Sequence, residues 1–310
     1  MYFSCKRMFT CVWASSALAL AGWSGVVTAG SLTDKPECVE SANGSPSATA
    51  VESHLLCLAE HAYYYDAITY GESALRSGLE SATILSETGS AYAAVQERDR
   101  AQQYLERAHD LSPDDPRIAA RLADVLYRRI LDISPQERQA RAEHGFERCN
   151  DAEGLSDQEA AQLVTELSAT AEDLLNTAIA GFADGMVRYN ARSLLAMLHI
   201  TTQREQALPE LAALVDEVAA QASTEKDAQL ADFAAMLMLN LSTAYNAHGD
   251  AGTALVTANR ALETADSSSV KRLVASGTAR LRGDESTVDM VDVVATHAPC
   301  EQSFKMDTSH

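Results

Sequence analysis

Two alanine spacings recur after 34 residues. Ala67 and Ala101 are 34 apart, and so are Ala74 and Ala108. An apolar residue stands nine positions before the first alanine of each pair, Leu58 in one segment and Tyr92 in the other. A fixed period of this size signals a stack of helix pairs, each exposing an apolar face that only its neighbours can cover. The small residues fall where two antiparallel helices must approach closely. Composition agrees. Apolar residues make up 46% of the 310, enough for a sizeable core, with 15 Gly and 7 Pro, too few for an all-β chain of many turns. Ala and Leu, the strongest intrinsic helix formers, are abundant.

Gly89, Tyr92, Ala101, Leu105, Ala108 and Pro113 stand at the spacing of one known repeat motif. Leu241, Tyr245, Gly249, Ala254, Ala258 and Ala261 repeat it near the C-terminus, with Gly249-Asp250 at the turn. Leu194, Leu198, Ala207, Leu211 and Leu214 keep the nine-residue offset more loosely. On these residues the chain resembles the tetratricopeptide repeat family between about residue 48 and residue 265, although the motif's Trp is absent from every unit. The resemblance implies an all-α fold, a right-handed solenoid of antiparallel helix hairpins.

Hairpins are expected at about 48–81, 82–115, 116–149, 157–185, 188–222 and 232–265, with a capping helix near 268–281. The repeat domain then spans 48–281 and the C-terminal tail 282–310. Asp115-Pro116 reads as an N-cap with proline at the first helical position. Ser134-Pro135-Gln136-Glu137 adds a capping box to that device, and Ser156 with Glu159 makes another.

The N-terminus reads as a signal peptide over 1–29. Lys6 and Arg7 precede a stretch with no charge before Asp34, and Val27-Thr28-Ala29 offers a small-x-small cleavage pattern. A polar linker follows over 30–47. Cleavage would remove two positive charges and change the formal net charge from −20 to −22. The expected location is therefore outside the cytoplasm, periplasmic or secreted. Export makes cysteine pairing favourable. Cys38, Cys57, Cys149 and Cys300 remain after cleavage and allow three pairings. Closeness in sequence favours Cys38 with Cys57, which leaves Cys149 with Cys300.

No phosphate loop, nucleophile elbow or His-Glu-x-x-His motif is present, so the expected class is not an enzyme, and no cofactor is expected. His54, Cys57 and His61 share one helix face and could hold zinc, but a disulfide at Cys57 would consume the thiolate. The acidic pair Asp114-Asp115 suits a helix N-terminus better than acid–base chemistry. Arg282-Gly283-Asp284 matches an adhesion tripeptide by chance. Asn43-Gly44-Ser45 and Asn240-Leu241-Ser242 match the glycosylation acceptor.

Net negative charge argues against nucleic acid and anionic membrane surfaces. No span is expected after cleavage. Against that background Arg117, Arg121 and Arg128 recur along one helix face, interrupted by Asp124. In the family's register they line a groove, with Tyr189, Arg192 and His199 two hairpins later and Asn240 and Asn246 in the last repeat. The groove would grip a carboxylate or an acidic peptide; the competing reading is a solvated face paired with nearby Asp and Glu. The expected function is an exported scaffold that binds a protein or peptide in the cell envelope. The alternative is an exported small-molecule or metal-binding protein, with hydrolytic activity in its irregular middle.

Overall fold

Short polar side chains set where the helices begin. Ser47 Oγ accepts from the Ala50 N–H, Ser81 Oγ from Ile84, Asp227 Oδ1 from Gln229 and Leu230, Asp250 Oδ1 from Thr253, and Ser267 Oγ from Val270. Each satisfies a backbone donor that has no partner inside its helix. Asp115 caps through Oδ1, which accepts from Arg117 and Ile118 at 2.8 and 3.3 Å. The capping box at Ser156 and Glu159 forms in both directions.

The computed structural model describes residue 38 and residues 47–134, 155–183 and 185–283. Among them are eleven helices and no strand. They are α1 (Ala48–Glu60), α2 (Tyr64–Arg76), α3 (Ala82–Ala94), α4 (Arg98–Leu111), α5 (Pro116–Ile133), α6 (Asp157–Gly181), α7 (Met186–Thr201), α8 (Ala207–Glu225), α9 (Ala228–Ala247), α10 (Ala251–Thr264) and α11 (Ser268–Leu281). The signal peptide, the linker up to residue 46 except Cys38, Asn43, the capping box beyond Ser134, Cys149, Cys300 and the tail beyond Gly283 lie outside the described residues.

The fold is all-α, built of helix hairpins that pack on their sequence neighbours. The described chain divides into two compact units, 47–131 with 161–218, and 132–134 with 155–160 and 219–283. In the first unit Val51, Leu55, Leu58, Ala67, Ala74, Ile84 and Ala91 form one core cluster. Leu85, Ala108 and Ile118 join α3, α4 and α5 in another. In the second unit α9 packs against α10 and α11. There Asp232 Oδ1 accepts from the N–H groups of Asp266 and Ser267, tying α9 to the start of α11.

One expected hairpin does not exist. Residues 157–181 form a single helix of 25 residues, because no Gly or Pro occurs between Asp157 and Ala180 to turn the chain. That helix is the second half of the hairpin opened by α5. A Cβ placed on Gly181 would stand 2.7 Å from Pro116 Cβ, so the end of α6 returns to the start of α5. The longer loop expected near 148–154 lies outside the described residues.

The second helix of each hairpin carries the same buried triplet at i, i+4 and i+7. It is Ala67, Gly71 and Ala74 in α2, Ala101, Leu105 and Ala108 in α4, Ala171, Leu175 and Ala178 in α6, Ala207, Leu211 and Leu214 in α8, and Ala254, Ala258 and Ala261 in α10. The close approaches match. A Cβ on Gly71 would collide with Thr88 Oγ1, and one on Gly89 would lie 2.9 Å from Leu105 Cγ and 3.2 Å from the Ala101 carbonyl oxygen.

Candidate functional site: the polar faces of the hairpins

The arginine stripe on α5 is drawn into the protein's own ion pairs. Arg121 Nη1 donates to Glu87 Oε1 at 2.6 Å and to Ser86 Oγ at 2.8 Å, and both partners on α3 are buried. Glu87 and Arg121 are 34 residues apart, so they hold equivalent places on consecutive first helices. Arg128 Nε donates to Asp124 Oδ2 at 2.8 Å, one turn away. Arg129 Nη1 reaches Gln102 Oε1 on α4 at 2.6 Å. Arg117 is exposed at the start of α5.

In the next hairpin, one unit sooner than the sequence suggested because 157–181 is a single helix, the pattern recurs with different partners. Arg192 on α7 makes a two-pronged pair with Glu217 on α8, both contacts at 2.8 Å, and stands 5.9 Å from the centre of the Tyr189 ring. The pair is partly solvent-exposed. Each partner stabilises the other's charge: hydrogen bonding to Arg192 lowers the Glu217 carboxyl below its usual range, and Glu217 raises the Arg192 guanidinium. His199 is buried. Arg204 Nη1 lies 3.1 Å from His199 Nε2; because Arg can only donate, Nε2 accepts. Nδ1 therefore carries the proton and donates to Glu210 Oε2 at 2.9 Å. Arg204 also makes a two-pronged pair with Glu172 on α6, and its hydrogen bonds hold that carboxyl low.

The two asparagines expected in the groove are not surface groups. Asn240 is 4% exposed and its Oδ1 has no hydrogen-bond partner among the described residues; Asn246 is 9% exposed. Both belong to α9, whose face from Phe233 to Ser242 is buried throughout. The same burial removes Asn240-Leu241-Ser242 as a glycosylation acceptor. Arg282 Nη2 donates to Asn259 Oδ1 at 2.9 Å, while Asp284 of the tripeptide lies outside the described residues.

The motif residues are structural. Ala101, Leu105, Ala108, Ala254, Ala258 and Ala261 are buried. Gly249 takes φ +86° at the turn between α9 and α10; Tyr245 precedes it, half-buried, and Pro113 is exposed between α4 and α5. Tyr92 is buried and stacks on Tyr104 with ring centres 5.5 Å apart. Its hydroxyl donates to Glu72 of α2 and accepts from Arg100 Nη1 at 3.0 Å. Burial first, then the bond to Glu72, pushes its phenol up to about 12.

Of the three residues on the first helix face that could have held zinc, only His54 packs away from the other two. Cys57 is joined to Cys38. His61 Nδ1 lies 3.9 Å from Cys57 Sγ, whereas the His54 ring packs against Tyr70 at 4.4 Å between ring centres. Glu87, Glu217, Glu172 and Arg204 were not singled out by the sequence. Only Glu87 had a signal, its 34-residue offset from Arg121.

Comparison of the sequence with protein-family models and with curated proteins finds no match. Among solved structures the chain is similar to the crystal structure of the yeast Tom70, at 16% identity and a TM-score of 0.34. The match covers 81% of this chain and 51% of that one, so the chain spans about half the length of that structure. No described helix is long and apolar enough to cross a membrane.

Proposed function

We propose that this chain is an exported tetratricopeptide-like scaffold that binds a protein or peptide partner. The observation that carries the reading is the buried triplet repeated in the second helix of five hairpins. A frame repeated in this way fixes one face of each second helix against its neighbours and leaves the remaining polar positions to vary. The start of the sequence, with its positive residues, apolar stretch and Val27-Thr28-Ala29, supports export to the periplasm or the medium.

An acidic segment of the partner would be recognised at Arg192 rather than at Arg121. Displacing Glu87 from Arg121 would strand a buried carboxylate, which costs more than an exposed exchange returns. At Arg192 the carboxylate to be displaced is exposed, so exchange is nearly neutral. Crosslinking from the native envelope, followed by mapping of the linked peptides, tests the scaffold reading. Links concentrated on α5 and α7 are expected, and links confined to residues 284–310 would defeat it. A poly-glutamate peptide should bind Glu217→Gln more tightly than wild type and Arg192→Ala more weakly, with low salt strengthening both trends. Equal binding by all three chains would remove the acidic segment from the reading.

A further inference from the structure

The end of the first helix gathers more chemistry than a structural crosslink needs. Cys57 and His61 are one turn apart on α1 and its C-cap, so their side chains meet on one face. Cys38 comes to the same point from the preceding segment, with its Cα 5.9 Å from that of Cys57. Donor atoms of Cys38, Cys57 and His61 all lie within 4.8 Å of one another, and all three residues are half-buried, open to a small reagent.

We propose that reducing the Cys38–Cys57 bond converts this corner into a Cys2His site for a borderline-soft divalent cation of the zinc class. Such an ion holds thiolates at about 2.3 Å and imidazole at about 2.0 Å, so tetrahedral ligands sit roughly 3.5–3.8 Å apart. Cys57 Sγ and His61 Nδ1 already stand at 3.9 Å. The two sulfurs need only separate by side-chain rotation once their bond is broken. Ligation through His61 Nδ1 replaces its 2.9 Å contact with the Cys57 carbonyl oxygen and leaves the ring proton on Nε2. His54, which shares the helix, is excluded by its packing on Tyr70.

The chemistry balances in two steps. A phosphine reductant and one water cleave the S–S bond, giving two thiols and the phosphine oxide. The divalent ion then binds two thiolates and one imidazole nitrogen and releases two protons, leaving a fourth position for water. The oxidised chain has no thiolate to offer and does not bind. Reduction therefore exchanges a covalent clamp between Cys38 and Cys57 for a metal clamp on these two residues and His61.

The test uses the full chain with Cys5→Ser, Cys11→Ser, Cys149→Ser and Cys300→Ser, so that only two thiols can respond. After phosphine reduction it is titrated with cobalt(II). One equivalent should bind with thiolate-to-cobalt charge-transfer absorption, and zinc should displace it. Cys57→Ser should abolish the band. His61→Ala should weaken binding by at least about tenfold, the least that loss of even an outer-shell partner costs, while His54→Ala leaves it unchanged. The unreduced chain should give no band. A band that survives Cys57→Ser, or that ignores His61→Ala, overturns the proposal, as does no band at all. Loss of the helical circular dichroism signal on reduction alone also overturns it, because the site needs the last turn of α1.

Discussion

The hairpins of α1 to α4 and those of α6 to α8 share an apolar frame but are tied together by different polar chemistry. In the first region Tyr92, Tyr104, Arg100 and Glu72 meet, with one carboxylate serving two phenols. In the second, Arg204 with Glu172 and Arg192 with Glu217 form two-pronged ion pairs, and His199 sits between Arg204 and Glu210. The helices pack alike because the buried alanines and leucines recur. The polar clamps differ because half-buried positions tolerate any pair that satisfies its donors and acceptors.

The strongest way to break this comparison is at the frame itself. Leu105 in α4 and Leu175 in α6 hold the same place in the triplet, and both are fully buried. Truncating either should cost about 2–5 kcal/mol through lost transfer energy and the cavity left behind. Denaturant unfolding of Leu105→Ala and Leu175→Ala should give values in the same range. A cost below about 1 kcal/mol at Leu175 would mean that α6 is not the equivalent of α4, whatever its spacing.

That equivalence shows what was legible in the sequence and what was not. The hairpins at 48–81 and 82–115 could be read because the chain between their helices has constant length, which keeps the period at 34 residues. The third could not. Its second helix is displaced by the segment after Ser134, and Ala171, Leu175 and Ala178 fall outside any fixed offset. Turns were equally hard to read. Ala62, Gln96 and Gln203 take positive φ between the two helices of a hairpin, where among the described residues only Gly249 shows the glycine that such a backbone favours. The arginine stripe was legible as a face but not as a set of pairs. Glu217 and Glu172 lie 25 and 32 residues from their partners, set by how hairpins stack rather than by any local pattern. The Cys38–Cys57 bond was legible from closeness in sequence, whereas its proximity to His61 required the fold.

A smaller effect separates the two regions at their closest helix approaches. Gly71 faces Thr88, whose hydroxyl already donates to the Ile84 carbonyl at 2.7 Å, so it cannot rotate away without losing that bond. Gly181 is exposed and faces the Pro116 ring at 2.7 Å where α6 ends and α5 begins, so a shift there moves helix ends rather than a packed interior. Alanine improves helix propensity by about 1 kcal/mol inside α2 and by less at Gly181, the last residue of α6. Overpacking should outweigh that gain only at Gly71, for a net loss of about 1–2 kcal/mol. Gly181→Ala should be neutral to within about 0.5 kcal/mol. Equal melting shifts for the two variants would show that the two approaches are equally rigid.

The subtlest difference is in how each region responds to pH, and the signs are opposite. Tyr92 is raised from the ordinary value of 10.0 to about 12, by burial and by its bond to Glu72. A group raised in the folded state contributes stability that is complete below its unfolded value and is lost as pH climbs through the folded one. The first region should therefore weaken between pH 10 and about 12, with Tyr104, raised for the same reasons, adding to the loss. Glu172 and Glu217 are lowered, chiefly by hydrogen bonds to Arg204 and Arg192. Their contribution is complete above the ordinary carboxylate value of 4.5 and disappears as pH falls through the folded values. Both carboxylates are partly exposed, so their effect should be small and should shrink further with salt. Thermal melts of wild type, Tyr92→Phe and a Glu172→Gln, Glu217→Gln double variant separate the two responses. Tyr92→Phe should flatten the alkaline limb and leave the acid limb alone, and the double variant should do the reverse. If Tyr92→Phe melts with an alkaline limb as steep as that of wild type, the phenol is not the group that titrates there, and the two regions differ in geometry without differing in their response to protons.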